Sequence, residues 1–476
     1  MKKHISILFL CFSFSIWAQK SSAEKDVFMA MDKTASILSE KSKGNSISIG
    51  VVKKGKTYTR HYGEIDKGKE NIANNNTVFE VASITKLFTG LLTAQAVLEG
   101  KLNLDEDIRK YITGSYPNLE YNGTPIAIKD LVSFRTGFNK DLPDNSELRK
   151  NRNDSSYLAF KKMDEEYSRE KFFEDLRTIK LDTLPGTKFK YSNGSLNLTA
   201  HILENVYQKS YETLLKENIF SKLDMKSSGI NLNSNIIANG YNQKGVLMPN
   251  ISDNLWGAAG MLKSTLGDLT KFIAYELNTK NKIVQESQRN LLNSPTIWNG
   301  YFWDYIQVDE NGKNCWKHGG AFGTQNMLVI YPERQLGISI IVNISDENTA
   351  NALGEAIIRL SNDLLAENKK QTGIYGYKIV NENIVFVYEH DKDLDPNLVK
   401  SVSIAGSFDK WNPNDSNFQM IQKNKNTFEL SIPKSQLGKD KTHLFKFVIN
   451  KTGWMEAPKN AINRETDGHE NLILKI

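Results

Sequence analysis

Hydrophobic positions change period several times along this chain, and each change marks an element. From Ala23 to Ser42 the apolar residues Val27, Met31, Ala35 and Leu38 recur at helical spacing, which predicts a helix laid across a sheet. Ser46 to Val52 and Lys56 to Tyr62 read as two strands around Lys53-Lys54-Gly55, a β-hairpin. A long stretch from about Thr77 to Leu277 reads as helices and loops. Two strands return late, Gln325 to Tyr331 and Leu336 to Ile344, joined by Pro332-Glu333-Arg334, and a helix from about Thr349 to Asn368 follows. Strands at both ends of a unit with helices between them imply one antiparallel sheet assembled from distant segments.

The polar run Glu367 to Gly373 then interrupts the pattern and predicts a linker over residues 367–375. Beyond it, short alternating segments recur at Lys378 to Tyr388, Ser401 to Ala405, Phe428 to Ile432, His443 to Ile449 and Asn471 to Ile476. With turn residues between them, they predict a small all-β sandwich over 376–476. The expected class is therefore α+β over 23–366, an antiparallel sheet flanked by helices plus a helical subdomain, followed by that sandwich.

Composition adds an address. Lys2 and Lys3 precede the apolar segment Ile5 to Ala18, which is short for a bilayer span but right for a secretory leader over 1–18. Polar residues follow at once from Gln19, so an exported protein, periplasmic or secreted, is expected, with no later membrane span. The length of 476 residues suits two domains, and 39% hydrophobic with 24% charged residues describes a folded chain. A net charge of +6 is small for this length, and no Lys/Arg stripe with interleaved aromatics appears, which excludes a nucleic-acid partner. Cys11 lies in the leader, which leaves Cys315 alone and no internal disulfide. Beside Trp316 and Lys317 in a strand-like context, Cys315 reads as structural rather than nucleophilic.

Three short motifs carry chemistry. Ser83-Ile84-Thr85-Lys86 opens a segment of helical periodicity, where residues three apart stack, so the Lys86 ammonium can reach the Ser83 hydroxyl. A helix N-terminus also puts backbone N–H groups near Ser83, suited to a developing oxyanion. Tyr191-Ser192-Asn193 follows Pro185-Gly186, a loop signal, and in extended chain Tyr191 and Asn193 project to one side. His318-Gly319-Gly320-Ala321 precedes the late hairpin, with glycines that allow close backbone approach and an Ala321 N–H as second oxyanion donor. Lys317 is as near as His318, and a slip of one residue would exchange them. The reading places His318 in the site, because Gly320-Ala321 then falls where the following motif needs it. Each motif alone has a bland explanation: a surface pair, a locally satisfied tyrosine, a glycine-rich strand entry.

In this order the three resemble the serine penicillin-binding proteins, class C β-lactamases, D-alanyl-D-alanine carboxypeptidases and related esterases. Ile128 to Ser133 with Gly137, Ala258-Ala259-Gly260-Met261 with Ser264-Thr265, and Tyr331 to Arg334 with Leu336-Gly337 extend the resemblance over about Ile47 to Asn362. It implies a β-lactamase/transpeptidase-like fold and an acyl-enzyme on Ser83, with Lys86 as its hydrogen-bonded partner. Tyr191 would be general base and then general acid, and Asn193 would bind the acyl part of a small-molecule or peptide substrate. The Ser83 and Ala321 N–H groups would form the oxyanion hole, beside His318, Gly319 and Gly320, with no cofactor or metal. The β-lactamases usually show Lys-Thr-Gly where this chain has His318-Gly319-Gly320. Histidine is mostly neutral at pH 7, so a D-amino-acid peptide, amide or ester is the expected substrate, ahead of a β-lactam. A non-catalytic envelope binding protein is the competing reading, disfavoured by the presence of Ser83, Lys86 and Tyr191 together.

The last segment has its own resemblance. Gly406 to Asn412, Leu444 to Val448, Gly453-Trp454 and Asn471 are similar to the glycogen-binding module of AMP-activated protein kinase, an immunoglobulin-like sandwich. This implies an α-glucan or cell-envelope polysaccharide partner, held by Trp411, Lys446, Trp454 and Asn471. Indole faces stack on sugar rings while Lys and Asn donate to hydroxyls. Trp411 and Trp454 simply packed in a spacer domain are the alternative.

Overall fold

Alternation along the strands decides which residues meet which helices. The computed structural model describes residues 6–42, 44–151, 155–309, 311–365, 374–390, 395–458, 461–465 and 469–476. Seven strands form one sheet: β1 (Ser46–Lys53), β2 (Lys56–Gly63), β3 (Ile297–Trp298), β4 (Tyr305–Asp309), β5 (Gly312–Gly320), β6 (Gln325–Tyr331) and β7 (Leu336–Val342), in the order β2-β1-β7-β6-β5-β4-β3. Every neighbouring pair is antiparallel, and Ile47 opposite Val342 sets how the N-terminal hairpin joins the late strands.

The two faces carry separate cores. Ile47, Ile49, Val51, Trp316, Val329, Ile338 and Ile340 turn to one face and bury against α1 (Ser6–Ser42) and the helix Thr349–Leu365. Val27, Met31, Ala35 and Leu38 of α1 are the buried side of that contact, spaced as an amphipathic helix requires. Residues 1–5 of the expected leader lie outside the described residues, and the side chains described in α1 begin at Glu24. Among the described residues no helix is long and apolar enough to cross a membrane.

On the other face, Val52, Ile306, Cys315, Leu328, Ile330 and Ile341 pack with α2 (Thr85–Leu98), α3 (Asn193–Tyr207) and α4 (Leu266–Glu276). This is the larger core, and it seats the helical region that sequence periodicity assigns to 77–277. That region also contains short strands, among them Val78–Glu80 paired with Lys263–Thr265, too brief for a period-two pattern to register. Cys315 is fully buried there and burial pushes its thiol well up, so it stays a thiol.

The expected linker lies outside the described residues except for 374 and 375. Beyond it stand two further sheets. Tyr377–Val380, Asn383–Glu389, Thr427–Pro433 and Ile421–Asn424 form one, and Val402–Gly406, Thr442–Ile449, Gly453–Trp454 and Leu472–Lys475 the other. Ile384 and Phe386 of the first share a buried cluster with Ile404, Phe445 and Phe447 of the second. The expected single strand Lys378 to Tyr388 is in fact a hairpin, because Asn381 takes a left-handed φ of 55° and turns the chain.

Candidate active site

Ser83 sits in a 3₁₀ turn, Ala82–Ile84, that runs directly into α2. Ala82 before it has a φ of +44°, a conformation that alanine rarely holds without support from its surroundings. One turn on, Lys86 is completely buried, and its Nζ donates to Ser83 Oγ at 3.1 Å and to Asn193 Oδ1 at 2.9 Å. A third bond goes to the carbonyl of Ala259, which lies in the Ala258-Ala259-Gly260-Met261 segment. The helical spacing of Ser83 and Lys86 thus becomes a contact.

Tyr191 approaches from the opposite side. Its hydroxyl donates to Ser83 Oγ at 2.9 Å, and its ring stacks on Phe134 with centroids 4.9 Å apart. The residue as a whole is 37% exposed, so a substrate can reach it. The stretch Tyr191 to Asn193 is not wholly a loop, because Asn193 is the first residue of α3 and Ser192 is its N-cap. Asp141 fastens this corner by accepting from Ser192 Oγ at 2.8 Å, Asn193 N at 3.1 Å and Gly194 N at 2.9 Å. The capping carboxylate holds Asn193 where it meets Lys86.

Strand β5 corrects the expected register. Lys317, not His318, turns toward the serine side: its ammonium lies 5.4 Å from the Tyr191 ring centroid, is wholly buried, and donates to Phe302 O at 2.8 Å and Asp304 Oδ1 at 2.6 Å. The His318 ring instead pairs with Gln325 Oε1 at 2.9 Å, while its backbone N–H donates to Asp304 Oδ2 at 2.7 Å. Gly319 shares the face of Lys317, and a Cβ there would lie 2.3 Å from Val81 O.

The N–H groups of an antiparallel strand alternate between its two edges. Ala321 N donates to Thr324 O at 2.8 Å, toward β6, so it is not an oxyanion donor here. His318 N points to the opposite edge, and by alternation Gly320 N does too, beside the cleft that Gly320 lines with Ser83. The strand therefore offers Lys317-His318-Gly319, then Gly320 N–H, one residue earlier than the sequence reading placed the corresponding groups.

Electrostatics follow from burial. Desolvation, then the like charge of Lys317, holds Lys86 well below an ordinary lysine, toward the neutral amine. Desolvation, then the Asp304 carboxylate, pushes Tyr191 above an ordinary phenol, although its bond to Ser83 pulls the other way. Burial also lowers Lys317, opposed by Asp304. Neither Asp141 nor Asp304 carries a motif in the sequence; each is an isolated acid whose partners come from distant elements. Among the described residues no group of three or more His, Cys, Asp or Glu could hold a metal ion.

The residues expected to bind carbohydrate are only partly gathered. Trp411 and Trp454 lie 6.2 Å apart between ring centroids, and Trp454 is exposed. Lys446 is half-buried, whereas Asn471 is buried with its amide given to Glu465 Oε2 at 2.6 Å.

Comparison with known proteins fits this geometry. The Beta-lactamase family model matches residues 31–362, which takes in Ser83, Lys86, Tyr191 and β5 and ends before the C-terminal sheets. Protein flp of Staphylococcus aureus (strain MRSA252) is 28% identical over 313 residues, 63% of this chain and 60% of flp. The chain thus spans less than two thirds of that relative. D-alanyl-D-alanine-carboxypeptidase/endopeptidase AmpH of Escherichia coli (strain K12) is 24% identical over 332 residues, 65% of this chain and 80% of AmpH.

Proposed function

The chain belongs to the beta-lactamase family of serine hydrolases, and from that premise we propose an exported hydrolase that forms an acyl-enzyme on Ser83. The observation that carries the proposal is the convergence of the Lys86 side-chain nitrogen and the Tyr191 hydroxyl on one serine oxygen. The preferred substrate is a D-amino-acid peptide, amide or ester, a reading that similarity to the D-alanyl-D-alanine-carboxypeptidase/endopeptidase AmpH supports.

The sequence reading gave Tyr191 the part of base, but the directions of titration support another division. Lys86, held toward the neutral amine, takes the Ser83 proton as Oγ attacks the scissile carbonyl. The Ser83 and Gly320 N–H groups receive the oxyanion. Tyr191, held as a phenol, gives its proton to the leaving nitrogen or oxygen, and the proton on Lys86 then replenishes it. Water attacks the acyl-enzyme by the reverse sequence, with Asn193 orienting the acyl part.

A β-lactamase is the second reading, and the register of β5 revives it, since a lysine and not a histidine faces the site. Asp304 already neutralises Lys317 at 2.6 Å, however, so a substrate carboxylate meets no free cation there. This favours the peptide or ester. The C-terminal sheets are read as an immunoglobulin-like sandwich that tethers the enzyme to α-glucan or envelope polysaccharide through Trp411 and Trp454.

The test is intact-protein mass spectrometry after exposure to a penicillin, a D-Ala-D-Ala peptide and a p-nitrophenyl ester. A mass increase of the acyl group on wild type, absent in Ser83→Ala, is expected with the ester or peptide. Labelling that survives in Ser83→Ala would remove Ser83 from the reaction.

A further inference from the structure

Two cavities flank the contact between Ser83 and Tyr191, and they divide the reacting groups between them. The larger, of about 500 Å³, is lined by Ser83 and by Asn193, the amide assigned to the acyl part. The smaller, of about 300 Å³, is lined by Tyr191, the phenol assigned to the leaving group, and not by Asn193. Arg149 borders both. Among the described residues none from β5 lines the smaller cavity, so Lys317 and its Asp304 partner stand apart from it.

The balance of donors and acceptors decides what the smaller cavity can take. Its two carboxylates are already spent. Asp141 accepts from Leu142 N, Ser192 Oγ, Asn193 N and Gly194 N, and Asp144 accepts from Ser146 N and the Ser146 hydroxyl. The cations keep donors in reserve. Lys140 Nζ stands 3.8 Å from Asp144 Oδ2, beyond a hydrogen bond. Lys190 Nζ donates to Asn139 O at 2.7 Å and lies 3.4 Å from Asp182 Oδ2. Arg149 is exposed, and among the described residues its side chain makes one hydrogen bond, from Nε to Asn145 Oδ1 at 2.7 Å. Its terminal N–H groups therefore remain to be matched, and a carboxylate matches their planar fork. Burial dominates the titration of Lys86 and Tyr191, but the Arg149 charge acts on both, so it lies within electrostatic reach of the reacting atoms.

Building on the serine-hydrolase reading, we propose that the cavity beside Tyr191 is a leaving-group subsite, in which Arg149, supported by Lys140 and Lys190, takes the terminal carboxylate of the departing residue. Tyr191 then serves the nitrogen of that residue and Arg149 its carboxylate, while the buried Phe138 ring gives the cavity an apolar wall for its side chain. Such a subsite selects for removal of a chain-terminal residue over cleavage within a chain. The last residue of a peptide turns freely about its backbone bonds and can enter a separate cavity. A fused β-lactam holds its carboxylate rigidly against the ring that carries the acyl carbon.

Two measurements test this. The first compares kcat/KM for the 3-carboxyphenyl and 3-carbamoylphenyl esters of N-acetyl-D-alanine, whose leaving groups differ in carboxylate against carboxamide. Wild type should prefer the carboxylate at least tenfold, and the ratio should fall to near one in Arg149→Gln, with thermal melts to check that the variant is folded. The p-nitrophenyl esters of glutarate and glutaramate place the same pair on the acyl part, and their ratio should not follow Arg149. The second measurement needs no turnover: the Ser83→Ala protein should bind N-acetyl-D-Ala-D-Ala at least tenfold tighter than its C-terminal amide by calorimetry, and adding Arg149→Gln should remove that preference. A ratio near one in wild type, a ratio that survives Arg149→Gln, or equal binding of peptide and amide overturns the subsite, as does an equal shift in the glutarate pair. Failure of wild type to hydrolyse any of the esters, with the Arg149-dependent peptide preference intact, would instead count against the hydrolase reading and leave the subsite standing.

Discussion

Adding a single methyl group to either of two adjacent glycines should separate the registers of β5. A Cβ on Gly319 would stand 2.3 Å from the Val81 carbonyl oxygen and 3.2 Å from Ile84 N, in the turn that carries Ser83. Ordinary carbon contacts begin near ~3.5 Å, so strand and turn must part by roughly 1 Å. Overpacking of this kind costs about 1–3 kcal/mol of stability. A misplacement of about 1 Å at reacting groups costs on the order of a hundredfold in rate. A Cβ on Gly320 comes no closer than 3.4 Å, to His318 Cε1, with Gln325 Cγ and His318 Nε2 at 3.9 Å, which is ordinary contact, and alanine keeps its N–H. Gly319→Ala should therefore lose about a hundredfold in kcat/KM on a chromogenic ester, and Gly320→Ala far less. Thermal melts run alongside confirm that both proteins are folded at the assay temperature. A folded Gly319→Ala enzyme with wild-type activity, or an equal loss in Gly320→Ala, would refute the register and with it the assignment of Gly320 N–H to the oxyanion.

Other consequences are equally direct. Tyr191→Phe should reduce turnover by about a hundredfold or more, the scale of a lost general acid or base, measured as kcat on the same ester. If neutral Lys86 is the base, kcat/KM rises with pH along an acid limb; Lys317→Met removes a like charge and frees Asp304, so that limb should move to higher pH. Glu276 is fully buried with its pKa raised from 4.5 to about 7, so between those values the native state binds more protons than the unfolded chain and stability falls as pH rises. Glu276→Gln should flatten that fall, at most roughly 3 kcal/mol by denaturant titration at pH 4.5 and 7.5. Trp454→Ala should abolish retention on an α-glucan resin, and wild-type protein that runs through unretarded would reduce the C-terminal sheets to a spacer.

The parts of this architecture that the sequence discloses are those governed by short periods. Val27, Met31, Ala35 and Leu38 repeat at helical spacing because one face of α1 must meet a sheet, and the hairpin at Lys53-Lys54-Gly55 declares itself by alternation. Ser83 and Lys86 are three apart on a helical pattern, so their contact needs no tertiary information. Asp141 and Asp304 are different. Asp141 acts across 51 residues on Ser192 and Asp304 across 13 on Lys317, and neither distance belongs to any period of helix or strand.

The choice between Lys317 and His318 shows where local pattern ends. Strand side chains alternate with a period of two, so neighbours point to opposite faces and only the phase is in question. Phase can be taken from the core residues upstream: Cys315 packs on the helical-subdomain side and Trp316 on the α1 side, which puts Lys317 with Cys315 and His318 with Trp316. In sequence both Cys315 and Trp316 are apolar, so the run offers no contrast from which phase could be read. The motif-based preference for a histidine followed by two glycines filled that gap and shifted the strand by one residue. What fixes the phase physically is Asp304, whose two carboxylate oxygens take the Lys317 ammonium and the His318 N–H together. A buried lysine needs such a partner, whereas a histidine beside Gln325 does not. The desolvation cost of Lys317 thus selects the register, and the same ion pair removes the free charge that a β-lactam carboxylate would require.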